Sequence, residues 1–144
     1  MDARSAYRQS QVRGATQVGL VVLLYEQMID DLRHATEHLQ QKQIELRTGR
    51  INHAILVLGH LQSTLDIERG GKVARHLERY YNLLRSKLME AQARASQPLL
   101  TEQIAILLKL RDAWLAVDRS ESGPQSAEQP DAAADAAPVL EWQG

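Results

Sequence analysis

The string His34-Ala-Thr-Glu37-His38 carries the residue types and the spacing that metal chemistry requires. It matches the H-x-x-E-H pattern of one class of zinc peptidases, in which two histidines four residues apart on a helix share a metal ion. No convincing third ligand stands on another segment, and a solvated helix face explains these residues more simply. We therefore expect no metal site. Zinc in the purified protein, lost on changing His34 and His38, would contradict this expectation.

Other motifs of catalysis are missing from the sequence. No Glu is followed three residues later by a His, which excludes the ligand pattern of di-iron bundles. The chain has no Cys, so thiol catalysis, Cys-ligated zinc and disulfides are excluded. It also has no G-x-S-x-G nucleophile motif and no G-x-x-x-x-G-K-[ST] phosphate loop. We predict a protein that is not an enzyme and that needs no cofactor.

Charge is distributed unevenly along the 144 residues, whose formal net charge is −1. Residues 119–144 hold one base and five acids, a net of −4, which leaves +3 for residues 1–118. This excess is too small to indicate a nucleic-acid partner. The longest apolar run, residues 18–25, is too short to span a bilayer, and the first residues lack the apolar segment of a secretory signal. We expect a cytoplasmic protein without membrane insertion.

The spacing of apolar residues predicts the secondary structure of the chain. The prolines are at 98, 124, 130 and 138, so nothing earlier forbids a helix. Apolar residues recur every three or four positions in four blocks, which predicts helices at about 17–41, 44–65, 72–95 and 99–117. Thr16 and Ser96 are expected N-caps, and Gly70-Gly71 is expected to supply the positive φ of a helix end.

Short loops between these blocks predict an all-α fold, an antiparallel up-down four-helix bundle over residues 1–118 with a short N-terminal segment. Residues 119–144 are acidic and rich in Pro and Ala, a composition typical of a disordered tail. Val139, Leu140 and Trp142 form an apolar group near the end of that tail. Two interpretations stay open: this group folds back into an empty groove as a pseudo-ligand, or the tail stays disordered.

Apolar residues exceed what one buried face needs, which is three or four positions in seven. Residues 18–25 cover every direction around the first helix, Leu56 and Val57 widen the second, and residues 106–110 widen the fourth. Excess apolar surface of this kind indicates either an interface or a helix that is buried on several sides. An interface would take the form of a groove for an amphipathic partner helix.

Several short motifs follow one another in a defined order over residues 6–117. They are Tyr7-Arg-Gln-Ser-Gln-Val12, Ala15-Thr16, residues 20–25 followed by Glu26 and Ile29, Leu65-Asp66, Gly70-Gly71, Leu77 with Tyr80 and Tyr81, and Leu110-Arg-Asp-Ala-Trp114. In this order they resemble the FliS family of flagellar secretion chaperones, which bind flagellin. The sequence departs from the family pattern at Gly14, Gln17 and Gln27, where the family has Thr, Pro and Gly.

This resemblance implies a four-helix bundle around which the C-terminal segment of flagellin wraps as helices and extended stretches. The bundle would cover the self-assembly surface of flagellin in the cytosol and deliver it to export-gate components. In the family the segment before the first helix can fold over the binding surface. The expected partner-binding residues are Tyr7, Val12, Leu20, Leu23, Leu24, Tyr25, Leu56, Val57, Ile106, Leu107 and Leu110.

The oligomeric state and the partner leave a second hypothesis open. We expect a monomer or a weak homodimer that binds flagellin. The alternative is a non-enzymatic bundle adapter, or an oligomeric structural protein, that binds another amphipathic helix. A stable homo-oligomer that buries residues 18–25 and has no affinity for flagellin would favour the alternative.

Overall fold

The computed structural model describes residues 16–122 of the chain. Four helices account for nearly all of them: α1 (Gln17–Gln40), α2 (Ile44–Ser63), α3 (Ile67–Arg94) and α4 (Gln97–Ser122). No strand occurs in this range. The predicted N-terminal segment and residues 123–144 of the predicted tail lie outside the described residues.

The four helices form a square in which each packs against two others. Helix α1 contacts α2 and α4, and α3 contacts the same two helices, so α1 and α3 are diagonal to each other. The connections between successive helices are only a few residues long, which places neighbours antiparallel. The predicted all-α, up-down four-helix bundle is therefore confirmed.

Two predicted caps begin helices as expected. The Thr16 hydroxyl accepts a hydrogen bond from the backbone N–H of Gly19 at 2.8 Å, which starts α1. The Ser96 hydroxyl accepts from the N–H of Leu99 at 3.3 Å, with Pro98 in the first turn of α4.

The start of α3 differs from the prediction. Gly71 has φ 55° and ψ −127°, so the glycine pair does supply a backbone conformation that interrupts the helix. A helical turn precedes it, however, because the Asp66 carboxylate accepts a hydrogen bond from Arg69 N–H at 3.1 Å and caps a helix that begins at Ile67. A helical turn that the sequence pattern does not predict therefore precedes residue 72, and Gly71 is the kink that separates this turn from the rest of α3.

The end of α4 also differs from the prediction. The helix continues through Ser122, beyond the predicted end at residue 117, so the first residues assigned to the tail are helical. The boundary predicted between the bundle and the tail, after residue 118, thus falls inside a helix. Helix α4 extends as one continuous element past the last turn that its apolar pattern indicated.

One buried carboxylate fastens α1 to α2. Asp31 is fully buried, and its two oxygens accept hydrogen bonds from Arg50 Nη1 at 3.1 Å and from His53 Nδ1 at 2.6 Å. Both partners are on α2 and remain partly exposed. A buried carboxylate is stable only when its oxygens are paired, so these contacts fix the register of α1 against α2.

Candidate partner-binding site

An open, largely apolar pocket of about 290 Å³ lies at one end of the bundle. It is placed where α1 begins, α2 ends, α3 begins and the last third of α4 passes. Its lining residues come from α1, α3 and α4 and from the α2–α3 connection: Gln17, Val18, Val21, Thr64, Leu65, Asp66, Gly70, Val73, Ala74, Leu77, Tyr81 and Trp114. The pocket is a concave apolar surface with a few polar groups, which is the usual form of a binding site.

The kinked start of α3 shapes one wall of this pocket. Gly70 lies so close to the next turn that a Cβ added there would be 2.6 Å from the Cβ of Ala74. The missing side chain at Gly70 and the positive φ of Gly71 together allow the first turn of α3 to bend beside the pocket. Val73 and Leu77, one turn apart after the kink, then face the cavity.

Four aromatic side chains form a cluster beside the pocket, and they are all the aromatic residues that the structure describes. The hydroxyl groups of Tyr25 and Tyr81 are 2.8 Å apart, and their rings meet edge to face with centroids 6.3 Å apart. Tyr80 packs against Tyr81 with ring centroids at 5.9 Å. Trp114 completes the cluster next to Tyr25 and lines the pocket with Tyr81.

Burial dominates the acid–base properties of this cluster. It raises the pKa of Tyr25 to about 12, because the phenolate would lose its hydration, while the hydrogen bond to Tyr81 opposes the shift. Burial also raises the pKa of Tyr81 well above its ordinary value, and the pKa of Tyr80 rises for the same reason. All three phenols are therefore neutral at physiological pH.

Several predicted partner-binding residues are accessible. Leu20, Leu23 and Leu24 on α1 and Ile106 on α4 are half-buried, and Leu56 on α2 is 71% exposed. Leu24 and Ile106 pack against the core with their buried parts. These residues have apolar surface left for a partner.

Four other predicted residues belong to the core. Tyr25, Leu107 and Leu110 have no exposed surface, and Val57 is only 8% exposed. Each is part of the central cluster of buried side chains that the helices share. Burial on several sides explains why these residues exceed the pattern of one buried face, and in this structure they offer a partner little or no exposed surface.

The pocket residues themselves escaped the sequence prediction. None of the predicted residues that the structure describes lines the pocket, and Tyr7 and Val12 lie outside the described residues. Val18 and Val21 belong to the apolar run of residues 18–25, but the sequence pattern indicates their neighbours Leu20, Leu23, Leu24 and Tyr25 as the partner-binding residues. Val73 and Leu77 have the spacing of ordinary core positions, yet they line the pocket just after the kink at Gly71.

The histidine motif has local structural partners. His34 Nδ1 is 2.9 Å from the carbonyl oxygen of Asp30, and His38 Nδ1 is 2.7 Å from Oε1 of Gln43. Between residues 16 and 122, no group of three His, Cys, Asp or Glu side chains is arranged to hold a metal ion. In the same range, no helix is long and apolar enough to cross a membrane.

By its fold the protein is an all-α, up-down four-helix bundle with an apolar pocket at one end. The model of the family described as flagellar protein FliS matches residues 1–121 of this chain. The chain belongs to the FliS family. This family consists of flagellar secretion chaperones, and the bundle described here is one of them.

Individual relatives agree with this assignment. The chain is 33% identical over 118 residues to flagellar secretion chaperone FliSB of Pseudomonas aeruginosa, a match that covers 79% of this chain and 94% of the relative. It is 28% identical over 123 residues to FliS of Campylobacter jejuni, covering 85% of this chain and 96% of the relative. FliS of Vibrio cholerae is 26% identical over 105 residues, covering 73% and 77%.

Proposed function

We propose that this protein is a cytoplasmic export chaperone for flagellin. It binds the C-terminal helical segment of flagellin, blocks premature polymerisation and assists delivery to components of the flagellar export apparatus. Membership of a family of flagellar secretion chaperones supports the general role. The single observation that carries the binding mode is the apolar pocket that α1, α3, α4 and the α2–α3 connection form at one end of the bundle.

The pocket suits an apolar side chain that projects from a partner helix. Val18, Val21 and Val73 offer aliphatic surface, and Trp114 offers an aromatic wall. Its few polar groups, including the side chains of Thr64 and Asp66, are at the C-terminal end of α2. An amphipathic helix could place one anchor here, since such helices bind through apolar residues at three- and four-residue spacing.

Helix α1 extends the apolar surface beyond the pocket. Leu20, Leu23 and Leu24 are half-buried and lie on the same helix as Val18 and Val21. They lie at the spacing at which successive turns of a partner helix make contact. We propose these three leucines as the contacts that continue from the pocket, with Ile106 and Leu56 as more distant candidates.

Titration calorimetry against a peptide of the last ~45 residues of a flagellin from the same genome tests the proposal, because that length allows two helices. We expect a one-to-one complex with a large negative heat-capacity change, the sign of apolar burial with coupled folding. Absence of heat, together with no complex on a sizing column, would overturn the proposal.

Two matched substitutions on α3 locate the binding surface. Val73→Ser removes an apolar side chain from the pocket, whereas Leu83→Ser removes one that is 54% exposed and lines no part of it. Losing the contact at Val73 costs on the order of 1 kcal/mol of binding, which is about a fivefold to tenfold increase in Kd. The Leu83 variant should bind like the unchanged protein. Equal effects from the two variants would place the binding surface elsewhere.

A further inference from the structure

The end of α4 is close to the pocket, so the residues that follow α4 begin near it. Trp114 lines the pocket, and Ser122 at the end of α4 is eight residues further along the helix, a distance of about 12 Å. The chain therefore leaves the described part of the bundle at the end where the pocket opens. An apolar group on the residues that follow Ser122 is therefore tethered near the pocket and has a high local concentration there.

Residues 123–144 contain a single apolar group of the right kind. Val139, Leu140 and Trp142 follow Pro138, in a stretch otherwise made of Gly, Ala, Pro and polar residues. Trp142 is 20 residues beyond Ser122, and the average end-to-end distance of a random coil of 20 residues is about 25 Å. That span exceeds the ~12 Å back to Trp114, so the connection can reach the pocket without being stretched.

Charge adds a second argument for the same contact. Residues 123–144 carry four acids, Glu128, Asp131, Asp135 and Glu141, and no base. The stretch of α3 that supplies Val73 and Leu77 to the pocket carries three exposed bases, Lys72, Arg75 and Arg79, and one exposed acid, Glu78, which is a net charge of +2. Opposite charges on the two segments favour their encounter and are screened by salt.

We propose that residues 138–142 dock into the pocket of their own chain and act as an internal competitor for the partner segment. Trp142 or Leu140 fills the apolar cavity beside Trp114, and the acidic residues between Ser122 and Pro138 lie along the basic stretch of α3. Docking keeps the apolar surface covered when no partner is bound. A partner that offers more apolar contacts displaces it.

The docking itself is tested without any partner. The chain contains no Cys, so Gln143→Cys gives a unique site for a nitroxide spin label beside the docking segment. We expect selective broadening of the backbone amide signals of Val18, Val73 and Leu77 in the full-length protein. The signals of Gln41 and Ala95, at the opposite end of the bundle, should be unaffected.

The control carries Leu140→Glu and Trp142→Glu in the same labelled chain, and the pocket signals should recover in it. These substitutions lie outside the bundle helices, and unchanged helical circular dichroism will confirm that the fold is intact. Broadening that is absent, that spreads evenly over the bundle, or that appears only when labelled and isotope-enriched molecules are mixed would overturn the proposal. The last result would mean docking between copies.

The competition is tested with the flagellin peptide, and this step rests on the proposed function. With a local concentration on the order of 1 mM and a weak intrinsic Kd of about 0.3 mM, docking occupies most pockets. The Leu140→Glu, Trp142→Glu variant should then bind the peptide about fourfold more tightly than the unchanged chain. Equal affinities would overturn the competitor role. If neither chain binds the peptide, the proposed function fails, while the spin-label result still decides the docking.

Discussion

The hydroxyl groups of Tyr25 and Tyr81 are 2.8 Å apart and join α1 to α3 across the diagonal of the bundle. These two helices do not pack side by side, so the contact depends on long side chains that reach through the core. Because both hydroxyls are buried, each needs the other as a hydrogen-bond partner. The pair therefore holds the wall of the pocket to which Tyr81 belongs.

Removing one hydroxyl of this pair should lower the free energy of unfolding by more than half of what removing both hydroxyls does. Tyr25→Phe or Tyr81→Phe leaves a buried partner less well satisfied, and we expect each to lower the free energy of unfolding by about 1–2 kcal/mol. The double variant should cost less than the sum of the two. Urea unfolding of the four proteins gives the coupling energy. Strict additivity would show that the hydroxyls do not interact in solution.

Stability should fall at alkaline pH because of Tyr25. Its pKa is about 12 in the folded protein and about 10 in the unfolded chain, so the unfolded state loses its proton first. The contribution of Tyr25 is complete below about pH 10 and is lost as the pH rises through 12, by up to about 3 kcal/mol. Urea unfolding across this range measures the loss. Tyr25→Phe should show a shallower decline, and an identical decline would refute the assignment.

Asp31 should matter far more to stability than its neighbour Asp30. Asp31→Asn removes the buried charge that accepts hydrogen bonds from Arg50 and His53, and we expect a loss of about 1–2 kcal/mol, since both partners can still reach water. Asp30 is 57% exposed, so Asp30→Asn should change the free energy of unfolding by less than about 0.5 kcal/mol. Thermal or urea unfolding of the two variants compares them. Similar losses would contradict the structure.

Alanine should have opposite effects at two glycines. Gly71→Ala places a Cβ on a residue with φ 55° and should destabilise the bundle by about 1–3 kcal/mol. Gly49 lies inside α2, and a Cβ there would meet nothing within 4 Å. Gly49→Ala should therefore stabilise the protein by about 0.5–1 kcal/mol. Unfolding experiments on both variants test the kink, and a stabilised Gly71 variant would show that the helix straightens in solution.

The helix pattern was readable in the sequence because periodicity and caps are local properties. Thr16 and Ser96 mark helix starts because their hydroxyls can cap backbone N–H groups, and Gly71 marks a kink because glycine tolerates a positive φ. The early start of α3 was missed because Asp66 caps a single turn that the glycines interrupt at once. The longer α4 was missed because a helix can continue past its apolar pattern when the preceding turns hold it.

The site was harder to predict because the sequence shows which residues are apolar and not which way they face. Tyr25 and Leu107 widen the apolar pattern of their helices, yet both are buried in the core. Val73 has an ordinary core spacing, yet it lines the pocket. What separates these cases is how the helices are rotated against one another and where α3 bends, and both depend on the packed bundle.

Crowding of aromatic rings at one end of the bundle has a consequence for spectroscopy. Within residues 16–122, the chromophores that respond to tertiary packing are Tyr25, Tyr80, Tyr81 and Trp114, and all four are grouped beside the pocket. The near-ultraviolet circular dichroism of the bundle thus reports on the packing at that end. The turn between α1 and α2 and the turn between α3 and α4 contain no chromophore, so they can fray while this signal stays constant.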